Sequence, residues 1–252
     1  MQSEFDSTDE APAAARPDAS RSETGGVKTR QRVIEHGEVF TPAWVVSDML
    51  DLLPTRGARN VWATPADAAQ KTFLDPTCGE GAFLVEVLER KLRRVNRHYA
   101  KSQEAWEWHA ALAVSSIYGI ELLEDNSERC VTNLYEVFLT HYLKRFRSSR
   151  NAGALDAAKF IISRNIMQGD ALTLTQRDGA PILLSEFQPL IAGDGTRMLR
   201  RRDFDFQQMA QAQSEPTLFS SVQEEPGLVV EYEPVFWECI RNARPAHEEL
   251  CR

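Results

Sequence analysis

Apolar positions along the chain switch between helical and strand spacing, and the switches predict an alternating order of elements. Trp44, Val45, Met49 and Leu52 or Leu53 recur at helical spacing behind Thr41-Pro42, a threonine suited to the cap and a proline suited to the first helical position. Pro54 and Gly57 end that helix, and residues 55–70 read as a polar connection. Thr72-Phe73-Leu74-Asp75 predicts a short strand that runs into a turn from Asp75 to Gly81. The helix after it carries Phe83, Leu84, Val87, Leu88, Leu92 and Val95 on one face. Residues 103–114 predict another helix, lined by Trp106, Ala110, Ala113 and Val114, and 116–121 a second strand. Asp125 or Asn126 is placed to cap a long helix that runs to about Phe146, with Leu134, Phe138 and Tyr142 inward. A short helix over 154–163 leads to a third strand, 165–168, which ends at Gly169-Asp170. Strand, helix, strand, helix, strand in that order means α/β, with a parallel, doubly wound sheet.

Beyond Asp170 the periodicity weakens. The runs 181–187, 198–206 and 228–237 have strand character, and 207–226 reads as a polar loop. Residues 1–30 are poor in large apolar side chains and predict a disordered tail. Three segments follow: the tail over 1–30, a main domain over 31–175, and an extension over 176–252 that is small, irregular and placed to dock a partner or complete a sheet.

Composition narrows the class. The 252 residues are 42% hydrophobic and 26% charged, ordinary for a globular chain with a sizeable core. No apolar run approaches the roughly 18 residues of a membrane span, and the polar, acidic start MQSEFDSTDE is neither a secretory signal nor a transit peptide. A cytoplasmic location with no membrane partner is expected. Cys78, Cys130, Cys239 and Cys251 form no C-x-x-C pair and have no histidines clustered beside them, so free thiols are expected and no metal site. The net charge of −8 disfavours this chain as the main grip on a nucleic acid, which requires lysine and arginine against phosphates. Two basic runs read as something other than a DNA contact: Arg90 to Arg97 at the end of a helix, where cations complement the dipole, and Arg197 to Arg202 beside Asp203 and Asp205, a solvated turn before a strand or a charged docking patch for a partner.

The candidate chemistry lies at strand ends. In Asp75-Pro76-Thr77-Cys78-Gly79-Glu80-Gly81-Ala82-Phe83 an acid closes a strand, two glycines permit close backbone approach, and a helix N-terminus offers unpaired N–H groups. There is no G-x-G-x-x-G and no G-K-[ST], which removes dinucleotide and triphosphate readings. Glu121 stands at the end of the second strand, where a carboxylate can accept both hydroxyls of a ribose. Asp170 and Ala171 stand at the end of the third.

The string Asp75–Gly81 closely resembles motif I of S-adenosylmethionine-dependent DNA methyltransferases, in the Asp-Pro-x-Cys-Gly-x-Gly form of the adenine-N6 group. Phe40-Thr41-Pro42 resembles that family's motif X, Glu121-Leu122 its motif II, and Asp170-Ala171 its motif III. The four fall in the order of the family's gamma class over residues 37–172. The resemblance implies a Rossmann-like class I methyltransferase fold, three-layer α/β/α with a parallel sheet, present whole or as its cofactor-binding half. It implies S-adenosyl-L-methionine as cofactor, with Phe40, Thr41, Pro42, Asp75, Pro76, Thr77, Cys78, Gly79, Gly81 and Phe83 around its methionine part. Glu121 would hold the ribose, Leu122 would pack on the adenine ring, and Asp170 and Ala171 would meet the adenine amine.

The family's catalytic Asn/Asp-Pro-Pro-Tyr/Phe is missing, for the chain contains no Pro-Pro. The nearest string is Tyr232-Glu233-Pro234-Val235-Phe236-Trp237, which makes Glu233, Pro234 and Phe236 weak catalytic candidates. Three readings stay open. A partner polypeptide supplies the catalytic motif and target recognition, and with them most of the contact to double-stranded DNA. Or the chain is a cofactor-binding structural or regulatory subunit without transfer chemistry. Or it is a complete methyltransferase with a divergent catalytic loop. The first fits a restriction-modification or phage-defence system, and it implies that the edge of the first strand is open to another chain.

Overall fold

The computed structural model describes residues 41–54, Trp62, 71–214 and 225–246. The tail expected over 1–30, Phe40, residues 215–224 and, apart from Trp62, the connection over 55–70 lie outside the described residues. The chain is α/β, with a three-stranded parallel sheet and a separate antiparallel sheet.

The described elements begin with α1 (Ala43–Asp51), β1 (Phe73–Asp75), α2 (Ala82–His98) and α3 (Gln103–Ser115). They continue with β2 (Ile117–Glu121), α4 (Glu124–Phe146), α5 (Ala152–Asn165) and β3 (Ile166–Gln168). β1, β2 and β3 lie side by side in that order, all parallel. Each crossover contains two helices. Leu88 of α2, Val114 of α3, Leu134 of α4 and Ile162 of α5 converge on Ile117 and Ile166, so the crossovers fill one face of the sheet. Burying each such aliphatic side chain contributes about 1.5–3 kcal/mol.

β2 alternates sides, as a strand must. At Gly119 an added Cβ would lie 2.9 Å from Leu84 of α2, so glycine admits the helix at this position. Tyr118 points the other way and its hydroxyl donates to the Ser185 carbonyl at 2.9 Å. Ser185 belongs to β4 (Leu183–Ile191), which pairs antiparallel with β5 (Arg197–Asp205) along its whole length. α6 (Phe206–Ser214), β6 (Leu228–Glu231), β7 (Val235–Phe236) and a 3-10 turn at Trp237–Asn242 complete the described chain. On the face where an α/β/α arrangement places a helix layer, Tyr118 therefore meets a strand.

Several local expectations are corrected. Pro42, not Thr41, is the cap residue of α1: its ψ of 144° is extended while its carbonyl takes the first helical bonds. α4 begins at Glu124, ahead of Asp125 and Asn126, because the Glu121 carboxylate takes the Leu123 N–H and starts the helix early. α5 is longer than expected, since Asn151 caps it by accepting from Gly153 and Ala154. The start of the loop expected over 207–226 is helical as far as Ser214. The run 228–237 is two short strands, separated at Glu233-Pro234, with Trp237 in the turn that follows. Residues after 176 are not irregular. They form the antiparallel sheet, and Phe187, Leu199, Trp237 and Ile240 join the same core as the helices.

A polar network is buried in that sheet. Asp203, buried on β5, accepts from Ser185 Oγ at 2.6 Å, from Arg201 through both carboxylate oxygens, and from Tyr232 at 3.2 Å. Arg201 also lies over the Tyr232 ring. No helix among the described residues is long and apolar enough to cross a membrane.

Candidate functional site

The carboxyl ends of the three parallel strands bring the predicted acids together. Asp75 ends β1, Glu121 ends β2, and Asp170 follows β3 by two residues. Registers of Asp75 with Gly119 and Glu121 with Gln168 place β2 slightly ahead of β1. The glycine turn fills that step: Cys78 N donates to the Ile120 carbonyl at 3.0 Å, extending the β1–β2 ladder into the turn.

Glu121 is the hub. Its Oε2 accepts the Gly79 N–H at 2.8 Å. Its Oε1 accepts from Leu123 N at 3.0 Å and from Asn126 Nδ2 at 3.3 Å. A carboxylate has about four acceptor positions, so one remains for a ligand hydroxyl even with these three donors in place.

Both turn glycines have left-handed φ, for different uses. Gly79 has φ +53°, and an added Cβ would meet nothing within 4 Å, so the space above it is open to a ligand. Gly81 has φ +87°, caps α2, and would drive a Cβ to 2.6 Å from Cys130 Sγ. One glycine clears an approach, and the other allows the turn to sit on α4. Asn133 adds a second tie, donating from Nδ2 to the Glu80 carbonyl at 2.9 Å.

Asp75 is half-buried. Burial pushes its carboxyl above the usual range; the Thr77 N–H, donating at 3.1 Å, opposes that, and the nearby Glu121 charge adds to it. The Cys78 thiol is buried and donates to the Gly79 carbonyl at 3.8 Å; the adjoining Cys130 thiol and burial push it up, so it is an inert packing group here. Asp170 Oδ1 accepts Leu172 N at 2.8 Å, leaving the other oxygen for a donor from outside. Leu122 and Leu172 are 56% and 95% exposed, two large apolar groups uncovered beside the acids. Ala171 is half-buried, and Pro76 and Thr77 are exposed on the turn. Phe83 is half-buried and packs against the core. Thr41 and Pro42 are exposed ahead of α1.

Glu233, Pro234 and Phe236 are not brought to this site. β7 pairs with Met198 and Leu199, whereas the Asp170 loop adjoins the far end of the hairpin, where Ile182 packs against Gly169. Six residues of strand separate the Leu183–Asp205 pair from the Pro189–Leu199 pair, about 20 Å at strand rise. Glu233 instead donates its N–H to the Arg244 carbonyl.

The basic runs are engaged within the chain. Arg197 pairs with Glu104, Arg200 with Glu231, Arg201 with Asp203, and Arg202 with Glu186 and Glu225. Arg90 bridges Glu86 and Asp51. A cleft of about 430 Å³ opens between α2 and α4, lined by Glu80, Val85, Asn133 and Val137 among others; none of the three strand-end acids lines it.

Sequence reasoning missed Asn126 as the clamp on Glu121, and Asn133 and Cys130 as supports of the turn. Asn126 was legible only as a helix cap, and no local pattern marks a residue that supports a turn 53 positions away. Compared with protein-family models, curated proteins and solved structures, the chain matches none.

Proposed function

We propose that this chain is the S-adenosyl-L-methionine-binding subunit of a DNA adenine-N6 methyltransferase, built on a Rossmann-like class I core. The observation that carries the reading is the Glu121–Gly79 bond. It ties a ribose-competent acid to a glycine turn with open space above it, and Leu122 stands exposed one residue on. A nucleoside with a charged tail calls for that combination: an acid for the hydroxyls, an apolar surface for the base, and bare backbone for the tail.

The residues fit the cofactor. Glu121 accepts from a ribose hydroxyl at its one remaining position, and Leu122 and Leu172 exclude water from the adenine faces. Asp170 accepts from the adenine amine through its remaining oxygen, and the Asp75–Gly81 turn holds the methionine part. When bound, the cofactor supplies an electrophilic methyl on a sulfonium. The acceptor adenine must be flipped out of the duplex. The acceptor and aromatic groups that would receive it, an Asn-Pro-Pro-Tyr or Asn-Pro-Pro-Phe motif, are assigned to a partner polypeptide. That partner also takes most of the DNA contact, in keeping with this chain's net charge of −8. The Glu233–Phe236 segment lies at the wrong end of the hairpin, which argues against a complete methyltransferase with its catalytic loop in this chain.

Isothermal titration of the purified chain with S-adenosylmethionine tests the core claim. Binding is expected, and Asp75→Ala and Gly79→Val are expected to abolish it. No binding by the folded wild type, or unchanged affinity in both variants, overturns the reading. Methyl transfer to DNA adenine by the chain with its co-purified partner then separates the subunit of an enzyme from a cofactor-binding protein.

A further inference from the structure

Parallel strands are ordinarily buried on both faces. β2 follows that rule, whereas Leu74 in β1 is 40% exposed and Lys71 and Thr72 ahead of it are exposed too. Among the described residues β1 pairs with β2 alone. Phe73 sends its N–H to the Ser116 carbonyl beside β2. Successive residues of a strand direct their N–H and C=O groups to opposite sides. Leu74 therefore directs both away from β2, toward an edge that no described strand meets. An outward N–H and C=O beside an uncovered apolar side chain are matched by another strand.

α1 carries a second uncovered surface. Val46 and Leu50 face inward, and Arg90 of α2 fixes the helix by bonding the Ser47 carbonyl, Ser47 Oγ and Asp51. The outer stripe at i, i+4, i+8 is Trp44, Asp48 and Leu52, with the two apolar members 69% and 84% exposed. Asp48 is exposed and has no ion partner among the described residues. A carboxylate set between two uncovered apolar groups matches an apolar surface with a lysine or arginine at its centre. α1 and β1 both pack against α2.

We propose that the outer edge of β1 and the Trp44–Asp48–Leu52 stripe of α1 together dock a second, different polypeptide, which adds a strand at Leu74 and sets a basic side chain against Asp48. The inference takes its occupant from the two-chain reading above and deepens it by naming the surface. A second copy of this chain is the poorer occupant. A twofold axis would set like patches face to face, bringing Asp48 toward Asp48 between molecules that each carry a net charge of −8.

The test is site-specific photocrosslinking in the native host, with a benzophenone side chain at position 74 or position 52 of the tagged full chain. Both positions are expected to attach the same second polypeptide. Its recovery is expected to fall at least about tenfold, or about 1.4 kcal/mol of affinity, in both Leu74→Lys and Asp48→Lys. Melting temperature is measured on each variant, and Leu52→Glu replaces any that does not fold. Crosslinks to another copy of this chain, no crosslink at either position, or undiminished recovery in the folded variants overturns the proposal. Cofactor titration on the same proteins keeps the two readings apart: a wild type that crosslinks but binds no S-adenosylmethionine sinks the cofactor assignment and leaves the docking surface standing.

Discussion

Glu121 and Gly79 are 42 positions apart, yet the Glu121 carboxylate accepts the Gly79 N–H at 2.8 Å. This bond makes the end of β2 and the turn after β1 one unit. Glu121→Ala is expected to weaken S-adenosylmethionine binding by about 1.5–3 kcal/mol, roughly 10- to 150-fold, the loss of a charge-assisted hydrogen-bonded pair. It also leaves three donors without their acceptor, so the melting temperature should fall as well. Glu121→Gln keeps an acceptor and should recover part of the stability but less of the affinity. Titration calorimetry and thermal melting on both variants check this, and unchanged affinity in Glu121→Ala removes the ribose role.

Gly81 sits against Cys130. Gly81→Ala combines a left-handed φ, costing about 1–2 kcal/mol for a residue with a Cβ, with an approach to Cys130 Sγ of 2.6 Å. Gly79→Ala has the first cost alone, since nothing lies near its Cβ. Gly81→Ala should therefore be the less stable of the two, and Cys130→Ala should rescue Gly81→Ala more than it rescues Gly79→Ala. Urea denaturation of the wild type, the three single variants and the two double variants decides it; equal losses at the two glycines would mean that the turn does not rest on Cys130.

Lys91 is fully buried, with its ammonium donating to the Lys71 carbonyl at 2.5 Å and to Ser116 Oγ at 2.6 Å. Burial pushes its pKa down to about 7. The folded lysine then releases its proton well below the 10.5 of an ordinary lysine. Between those two values the unfolded chain binds more protons, so this group makes stability rise with pH, by at most about 1.4 kcal/mol per unit. Below about pH 7 both states are protonated and the group's contribution levels off at its least favourable. Denaturant midpoints measured from pH 6 to 9 should climb more steeply for the wild type than for Lys91→Met. Parallel curves would mean that the lysine stays charged in the fold.

Asp203 is the centre of the buried network in the antiparallel sheet. Asp203→Ala leaves Arg201 charged and without its carboxylate, and breaking a buried pair from one side costs about 3–5 kcal/mol. Replacing both partners, as Arg201→Met with Asp203→Leu, should restore a large part of that loss. Failure of the double variant to recover stability would show that Ser185, Tyr232 and Arg164, whose guanidinium lies 3.5 Å from Asp203, hold the sheet together rather than the Arg201 pair.

Much of the fold was legible locally. Helical spacing at Leu84, Val87, Leu88, Leu92 and Val95 marks the buried face of α2, because one face of a helix must supply the core. The strand–helix alternation dictates parallel pairing, because parallel neighbours need a crossover. The antiparallel sheet was harder to read. β5 reads Arg197-Met198-Leu199-Arg200-Arg201-Arg202-Asp203, where buried positions include a charged pair, so the usual apolar alternation is broken. The break in the last strand follows from Pro234, which has no N–H to give to a ladder.

The sequence by itself determined the three strand-end acids and the glycines between them, because each belongs to a short segment whose chemistry is readable within ten residues. Only the tertiary structure decided that Glu121 clamps the turn, that Cys130 lies beneath Gly81, and that Glu233–Phe236 sits about 20 Å along a hairpin from the Asp170 loop. It also decided that β1 lies at the edge of the described sheet. Those are facts of register and of packing between distant segments. A local pattern says which face of an element is apolar, and only the assembled sheet says which neighbour that face meets.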